Sequence, residues 1–189
     1  MSKVYTNFTV KGLTEQLNKG KVIVYPTESV FGLGCNPDNE NAINTLLKIK
    51  CRSWKKGLIL VAANYTQLFK YVDDRYLNSL QLSRIFSTWP GPFTWVFPAR
   101  SSTPMWLTGK FSSVAIRVSN FEPIRRLCLT FGKPLVSTSA NVSGYLPART
   151  IHAVYKQLGY DFPIMNTNVL GLPNPSIIRD AITGKIIRK

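Results

Sequence analysis

Residues 137–144 (STSANVSG) hold one large side chain, Val142, among hydroxyls, an amide and a glycine. Such groups are compact hydrogen-bonding partners, and a loop built from them can wrap a ligand covered in oxygen atoms. Other short stretches add cations to the same ingredients. YPTESVFGLG (25–34) places Thr27 and Glu28 directly after an apolar run, and KIKCR (48–52) carries Lys48, Lys50 and Arg52. SSVAIRV (112–118) sets Arg117 among apolar neighbours, Arg149 precedes a helical pattern, and Arg179 and Arg188 lie near the C-terminal end. Phosphate oxygens accept from N–H groups, hydroxyls and amides, while Lys and Arg neutralise their charge. Together these stretches suit a polyphosphate site with Asn141 and the hydroxyls as donors. Nucleotidyl transfer asks little of a protein beyond alignment and charge stabilisation.

Each residue also has an ordinary structural use. Lys50 and Arg52 would complement the dipole of a helix ending beside them. Thr27 after Pro26 fits turn chemistry, Ser139 and Asn141 fit capping or Asx turns, and Arg188 fits a solvated side chain. Arg117 is harder to place so. A guanidinium flanked by Ile116 and Val118 must face solvent, a buried acid or a bound anion, and the chain has only nine acids.

Several chemistries drop out. The single histidine, His152, falls in a helical pattern, so Ser–His–Asp and Cys–His systems would have to rest on it alone. No His/Cys/carboxylate cluster has metal-ligand spacing. No P-loop occurs, and GLGCNP (32–37) lacks the third glycine of a dinucleotide fingerprint. Cys35, Cys51 and Cys128 are odd in number and far apart, which fits buried thiols in a reduced cytoplasm rather than disulfides or zinc. The N-terminal residues show no apolar leader, and the longest apolar run, 58–63, is far too short to span a bilayer.

The formal charge is +15, with 24 Lys and Arg against nine acids, divided as +5 in each third of the chain. An excess of this size favours anionic partners or, equally, a uniformly cationic solubilising surface. No detachable basic arm is present, so a positive site must be assembled by folding.

The elements that would do so can be read from periodicity and caps. Val10, Leu13 and Leu17 predict a helix ending near Gly20, and 21–25 a buried strand that runs into 26–34 as a loop. Asp38 is the expected N-cap of a helix through Lys50. Residues 58–63, 93–97, 113–118 and 134–137 read as strands, with helices over 64–71, 75–87 and 150–158. Pro123 suits the first turn of a helix that stops at Gly132, and 176–189 predicts a terminal hairpin. Strands and helices alternate incompletely, and the last pair is antiparallel. The fold class is therefore α/β: one domain, 1–189, with a mixed parallel and antiparallel sheet flanked by helices.

In order and spacing, YPTESVFGLG, KCR, WPGPFT, SVAIRV, PLVSTSANVSG and PSIIRD resemble the YrdC/TsaC family of L-threonylcarbamoyladenylate synthases, from about residue 8 onward. The length is similar to that of the short bacterial branch. The resemblance implies a twisted sheet with a large positively charged cavity. It also implies a reaction in which L-threonine, bicarbonate and ATP give threonylcarbamoyl-AMP and pyrophosphate. The product would serve N6-threonylcarbamoylation of adenosine 37 in tRNAs, completed by separate transfer proteins, in the cytoplasm. By the same resemblance Thr27, Arg117, Ser139 and Ser176 bind threonine, with Ser139 and Asn141 forming an S-x-N pair shared with ATP. Lys50, Arg52, Ser113, Asn141, Arg149 and Arg188 bind ATP, and Lys50, Arg52 and Asn141 carry the catalysis. Mg2+ would arrive with ATP, not in a protein-built site. Ser53 departs from the family pattern, standing where proline is usual. A rival reading is a non-catalytic RNA-binding module, supported by the charge and by four tryptophans if exposed for stacking.

Overall fold

The computed structural model describes residues 8–159, 161–165 and 167–188. Eight strands form one sheet: β1 Ile23–Pro26, β2 Phe31–Cys35, β3 Ile59–Ala62, β4 Phe93–Pro98, β5 Ser113–Val118, β6 Leu135–Ser139, β7 Ile177–Asp180 and β8 Ile186–Arg188. Their spatial order is β1-β2-β6-β3-β5-β4-β7-β8. The β3–β5 and β4–β7 pairs are parallel and the other five are antiparallel, so the sheet is mixed as expected. Among the described residues six α-helices accompany it: α1 Val10–Asn18, α2 Glu40–Ile49, α3 Ser79–Phe86, α4 Met105–Thr108, α5 Glu122–Phe131 and α6 Ile151–Leu158. None of them is long and apolar enough to cross a membrane.

The period-two alternation of the strands divides the core between two faces. On one face Val24, Leu33, Leu60, Trp95, Ile116 and Val136 pack with Ile43 and Leu46 of α2, Ile85 of α3 and Val154 of α6. On the other, Ile23, Tyr25, Val61 and Leu135 meet Leu13 and Leu17 of α1 and Ile124, Leu127, Cys128 and Phe131 of α5. Fully burying a leucine or isoleucine contributes about 1.5–3 kcal/mol, so these two helices are firmly seated. They cover only part of their face. The uncovered part carries Gly32, Ile59, Arg117, Ser137 and Ser139, which the register places side by side with Tyr25 and Val61.

Local signals placed most elements. Pro123 lies in the first turn of α5, and Gly132 closes it with φ +73°, a left-handed conformation that glycine adopts without strain. The terminal hairpin and the helix ending at Gly159 form as expected. Four expectations need correction. The N-cap of α2 is Asn39, whose side chain accepts from Ala42 N; Asp38 instead binds Lys70, Tyr71 and Lys133. Burial pushes the Asp38 carboxyl up, but those three partners outweigh it and hold it low. The helix expected over 64–71 is one 3-10 turn, Tyr65–Leu68, and the next begins only at Ser79, where Asn78 and Gln81 make a capping box. Cys51 is exposed, whereas Cys35 and Cys128 are buried with thiols pushed up to about 12.

The fourth correction matters most for the site. Residues 31–35, expected as loop, are β2, hairpin partner of β1. Its two glycines make room for an aromatic ring. A Cβ on Gly34 would lie 2.7 Å from Tyr25 Cε1 and 2.8 Å from Val136 O, and one on Gly32 would lie 3.3 Å from Tyr25 Cζ. The ring therefore lies flat across the strand, and its hydroxyl donates to Ser137 Oγ at 2.8 Å.

Candidate functional site

A cavity of about 380 Å³ opens on the uncovered part of the sheet. Strand residues Gly32, Ile59, Arg117, Ser137 and Ser139 form its floor. Its walls are the 27–30 turn, the segment after α2, the loop after β6 and the segment leading into β7. Among the described residues five cations line it, Lys50, Lys56, Arg52, Arg117 and Arg188, against one acid, Glu28. Around them stand the hydroxyls of Thr27, Ser29, Ser137, Thr138, Ser139, Ser143 and Ser176. Arg188 comes alongside because β8 pairs Arg188 with Ile178.

Lys50 caps the C-terminus of α2 and is 3% exposed. Its ammonium donates to Ser139 O, to Asn141 O at 2.8 Å and to Asn141 Oδ1 at 3.3 Å, while its own carbonyl accepts from Ser143 N. A lysine has three N–H donors, so all are engaged in holding the small-residue loop. Among the described residues no carboxylate pairs with it. Burial first, and then the nearby Arg52, pull its pKa down to about 8. Arg52 donates to Gly57 O at 3.0 Å and is pulled below its ordinary range by burial and by Arg188. Arg188 in turn is lowered by desolvation. Cations that depress one another mark a site whose positive charge is not balanced from within.

Asn141 is engaged by its own loop. Its amide donates to Val142 O at 3.0 Å and Tyr145 O at 2.7 Å, so both hydrogens are spent on the loop's own backbone. In this arrangement it shapes the loop. Thr27 likewise serves its turn, donating to Val30 O at 2.6 Å, although it also lines the cavity. Ser139 lines the cavity too, and Ser176 does so while sharing a hydrogen bond with Thr94 at 2.8 Å.

Two expected nucleotide contacts lie outside the lining. Ser113 shares Arg117's face but sits four residues back along β5, opposite Pro98. Arg149 is exposed and donates to Pro173 O, tying the loop before α6 to the segment that leads into β7. Ser53 has φ −64°, the value a proline would impose, and its hydroxyl caps the turn Trp54–Lys56. His152 is exposed on α6.

Arg117 meets the buried acid that its neighbours required. Its Nη1 donates to Glu28 Oε2 at 2.9 Å, and Ser119 donates to Glu28 Oε1 at 2.6 Å. Three buried polar atoms of cavity residues have no partner: Ser29 Oγ, Arg52 Nε and Arg117 Nε. Ser29, Lys56 and a role for Glu28 escaped the sequence reading. The alternation of Phe31, Leu33 and Cys35 was the signal that would have made 27–30 a hairpin turn and brought Ser29 inward.

The tryptophans do not assemble a stacking platform. Trp89 and Trp95 are buried, Trp106 packs on the core and donates to Pro37 O, and only Trp54 is exposed.

Residues 15–189 match the family profile named Sua5_yciO_yrdC and described as "Telomere recombination". The chain belongs to the Sua5/YciO/YrdC family. Among its relatives is a threonylcarbamoyl-AMP synthase of Blochmanniella pennsylvanica, 70% identical over 99% of this chain and 96% of that protein. Another of the same name, from Yersinia pestis, is 55% identical over the full length of both. P. abyssi Sua5 in complex with L-threonine superposes with a TM-score of 0.82 at 26% identity, over 90% of this chain and 50% of that one. The chain thus spans about half of that Sua5. E. coli YciO, at 22% identity and TM-score 0.82 over 95% of this chain and 88% of its own, shares the fold.

Proposed function

We propose that this family member is a threonylcarbamoyl-AMP synthase, a nucleotidyltransferase joining L-threonine, bicarbonate and ATP. The observation that carries this reading is the cavity: five cations against one acid, hydroxyls all round, and buried donors left without acceptors. Such a lining suits a polyphosphate beside a small polar amino acid. The names of the full-length relatives point to the same chemistry.

The amine of threonine, once carboxylated, offers a carbamate oxygen to the α-phosphate, and pyrophosphate leaves. Lys50, Arg52 and Arg188 offset the charge that gathers on the phosphate oxygens, and the 137–144 loop fixes where those oxygens lie. Lys50 acts from behind that loop, through the backbone it holds. Arg117 is the candidate for the threonine carboxylate. No three His, Cys, Asp or Glu side chains among the described residues are grouped to hold a metal. Magnesium would enter on the nucleotide's own phosphates. The product would pass to separate proteins that modify tRNA.

Pyrophosphate detection with each component omitted in turn tests the proposal. Release should require threonine, bicarbonate and ATP together and should need no RNA, because without the carbamate no acceptor oxygen is aligned. Arg52→Ala should lower it by about 10²–10³, the usual loss for one positioned charge-stabilising group. Release that does not depend on threonine would refute the assignment.

A further inference from the structure

Among the described residues one carboxylate lines the cavity. Glu28 is 3% exposed and Arg117 7%, and theirs is the one ion pair among the described residues with both partners buried. Burying two charges costs more than their attraction usually returns, and an apolar pair of similar volume would serve the sheet as well. Nor is the pair saturated. Among the described residues Arg117 Nε has no acceptor, and each Glu28 oxygen takes one donor of the two it can accept. A cavity wall therefore carries unused donor and acceptor capacity of opposite charge, on two side chains already joined through Nη1 and Oε2 at 2.9 Å.

An α-amino acid presents the complement. Its ammonium nitrogen and carboxylate carbon are separated by one tetrahedral carbon, about 2.5 Å. Its ammonium has few places to go here, since Lys50, Arg52, Lys56 and Arg188 all repel it. Glu28 is also held in place. Leu172 N donates to its carbonyl at 2.8 Å, Leu170 N donates to Thr27 O at 3.2 Å, and Ser119 fixes Oε1.

We propose that Glu28 and Arg117 form a zwitterion clamp, in which Glu28 takes the substrate's ammonium while Arg117 takes its carboxylate. Glu28 is then the residue that selects an amino acid over the corresponding hydroxy acid. This rests on the reading that threonine is the substrate.

The test is calorimetry on the full chain with ATP present, titrating L-threonine and 2,3-dihydroxybutanoate, which carries a hydroxyl in place of the amine. Wild-type protein should prefer threonine by at least about 100-fold, as sites built around a polar substrate group do. Glu28→Gln should reduce that preference below about tenfold by weakening threonine alone, with ATP affinity retained as the check on folding. Ser119→Ala, which loosens Oε1 and keeps the charge, should lower the preference several-fold and serves if Glu28→Gln does not fold. Equal binding of the two acids by wild type, or equal weakening of both in Glu28→Gln, overturns the clamp. So does an unchanged preference in Ser119→Ala. Threonine-dependent pyrophosphate release alongside any of these leaves the synthase reading standing; wild-type protein that binds no threonine removes both.

Discussion

The ammonium of Lys50 lies 2.8 Å from the carbonyl oxygen of Asn141, 91 residues further along the chain. In return, Lys50's own carbonyl accepts from Ser143 N at 2.9 Å. The end of α2 and the small-residue loop are thus one unit, with a buried cation inside it. Anything that changes the charge of Lys50 acts on the loop as well as on the cavity.

That coupling has a pH signature. Lys50 titrates near 8 in the fold, against 10.5 ordinarily, through burial and then Arg52. Between those values the unfolded chain binds a proton the folded one has released, so Lys50's contribution to stability rises with pH across that window. Below about pH 8 the cost of its buried charge is fully present. Nearby phosphate favours the charged form. At pH 8, where ligand-free Lys50 is half protonated, nucleotide binding should therefore take up about half a proton. Calorimetry in buffers of different ionisation enthalpy reads this directly, and Lys50→Met should abolish it. Binding without proton uptake in the wild type would place the phosphates away from Lys50.

Asn141→Ala should cost stability as well as activity. It strips Tyr145 O of its side-chain donor, leaves Val142 O with Tyr145 N alone, and removes one acceptor from Lys50. A buried cation short of an acceptor, here Lys50, costs about 1–3 kcal/mol, which lowers Tm by several degrees in a chain of this size. Thermal unfolding beside the pyrophosphate assay separates the roles. Lost activity at an unchanged Tm would return Asn141 to the role of a direct phosphate donor.

Arg149→Ala should behave as a loosened tie, since the side chain is exposed, lies outside the cavity lining and holds Pro173 O. Hydrogen exchange at the Leu170 and Leu172 amides, which dock on Thr27 and Glu28, should accelerate. ATP affinity should fall less than tenfold. A drop of 100-fold with exchange unchanged would mean that Arg149 touches the nucleotide.

Much of this protein is decided locally, and the sequence by itself determined that much. Helix α5 runs from the Pro123 turn to Gly132 because a fixed φ starts it and a left-handed glycine ends it. The terminal hairpin and the burial of strands 59–62 and 113–118 follow from side-chain alternation and apolar runs. The inventory of cavity groups was legible too, since hydroxyls and cations in short loops after strands have few other uses in such combination. Strand β2 was masked: Phe31, Leu33 and Cys35 alternate, but the two glycines between them imitate a loop. Those glycines are explained only by the Tyr25 ring lying across them. Above all, the sequence could not say which donors were already spent. Arg117 finds Glu28 across 89 residues, and the three N–H groups of Lys50 go to Ser139 and Asn141. A hydrogen bond forms with whichever acceptor the packed sheet brings within reach, and that distance exists only once the strands have paired.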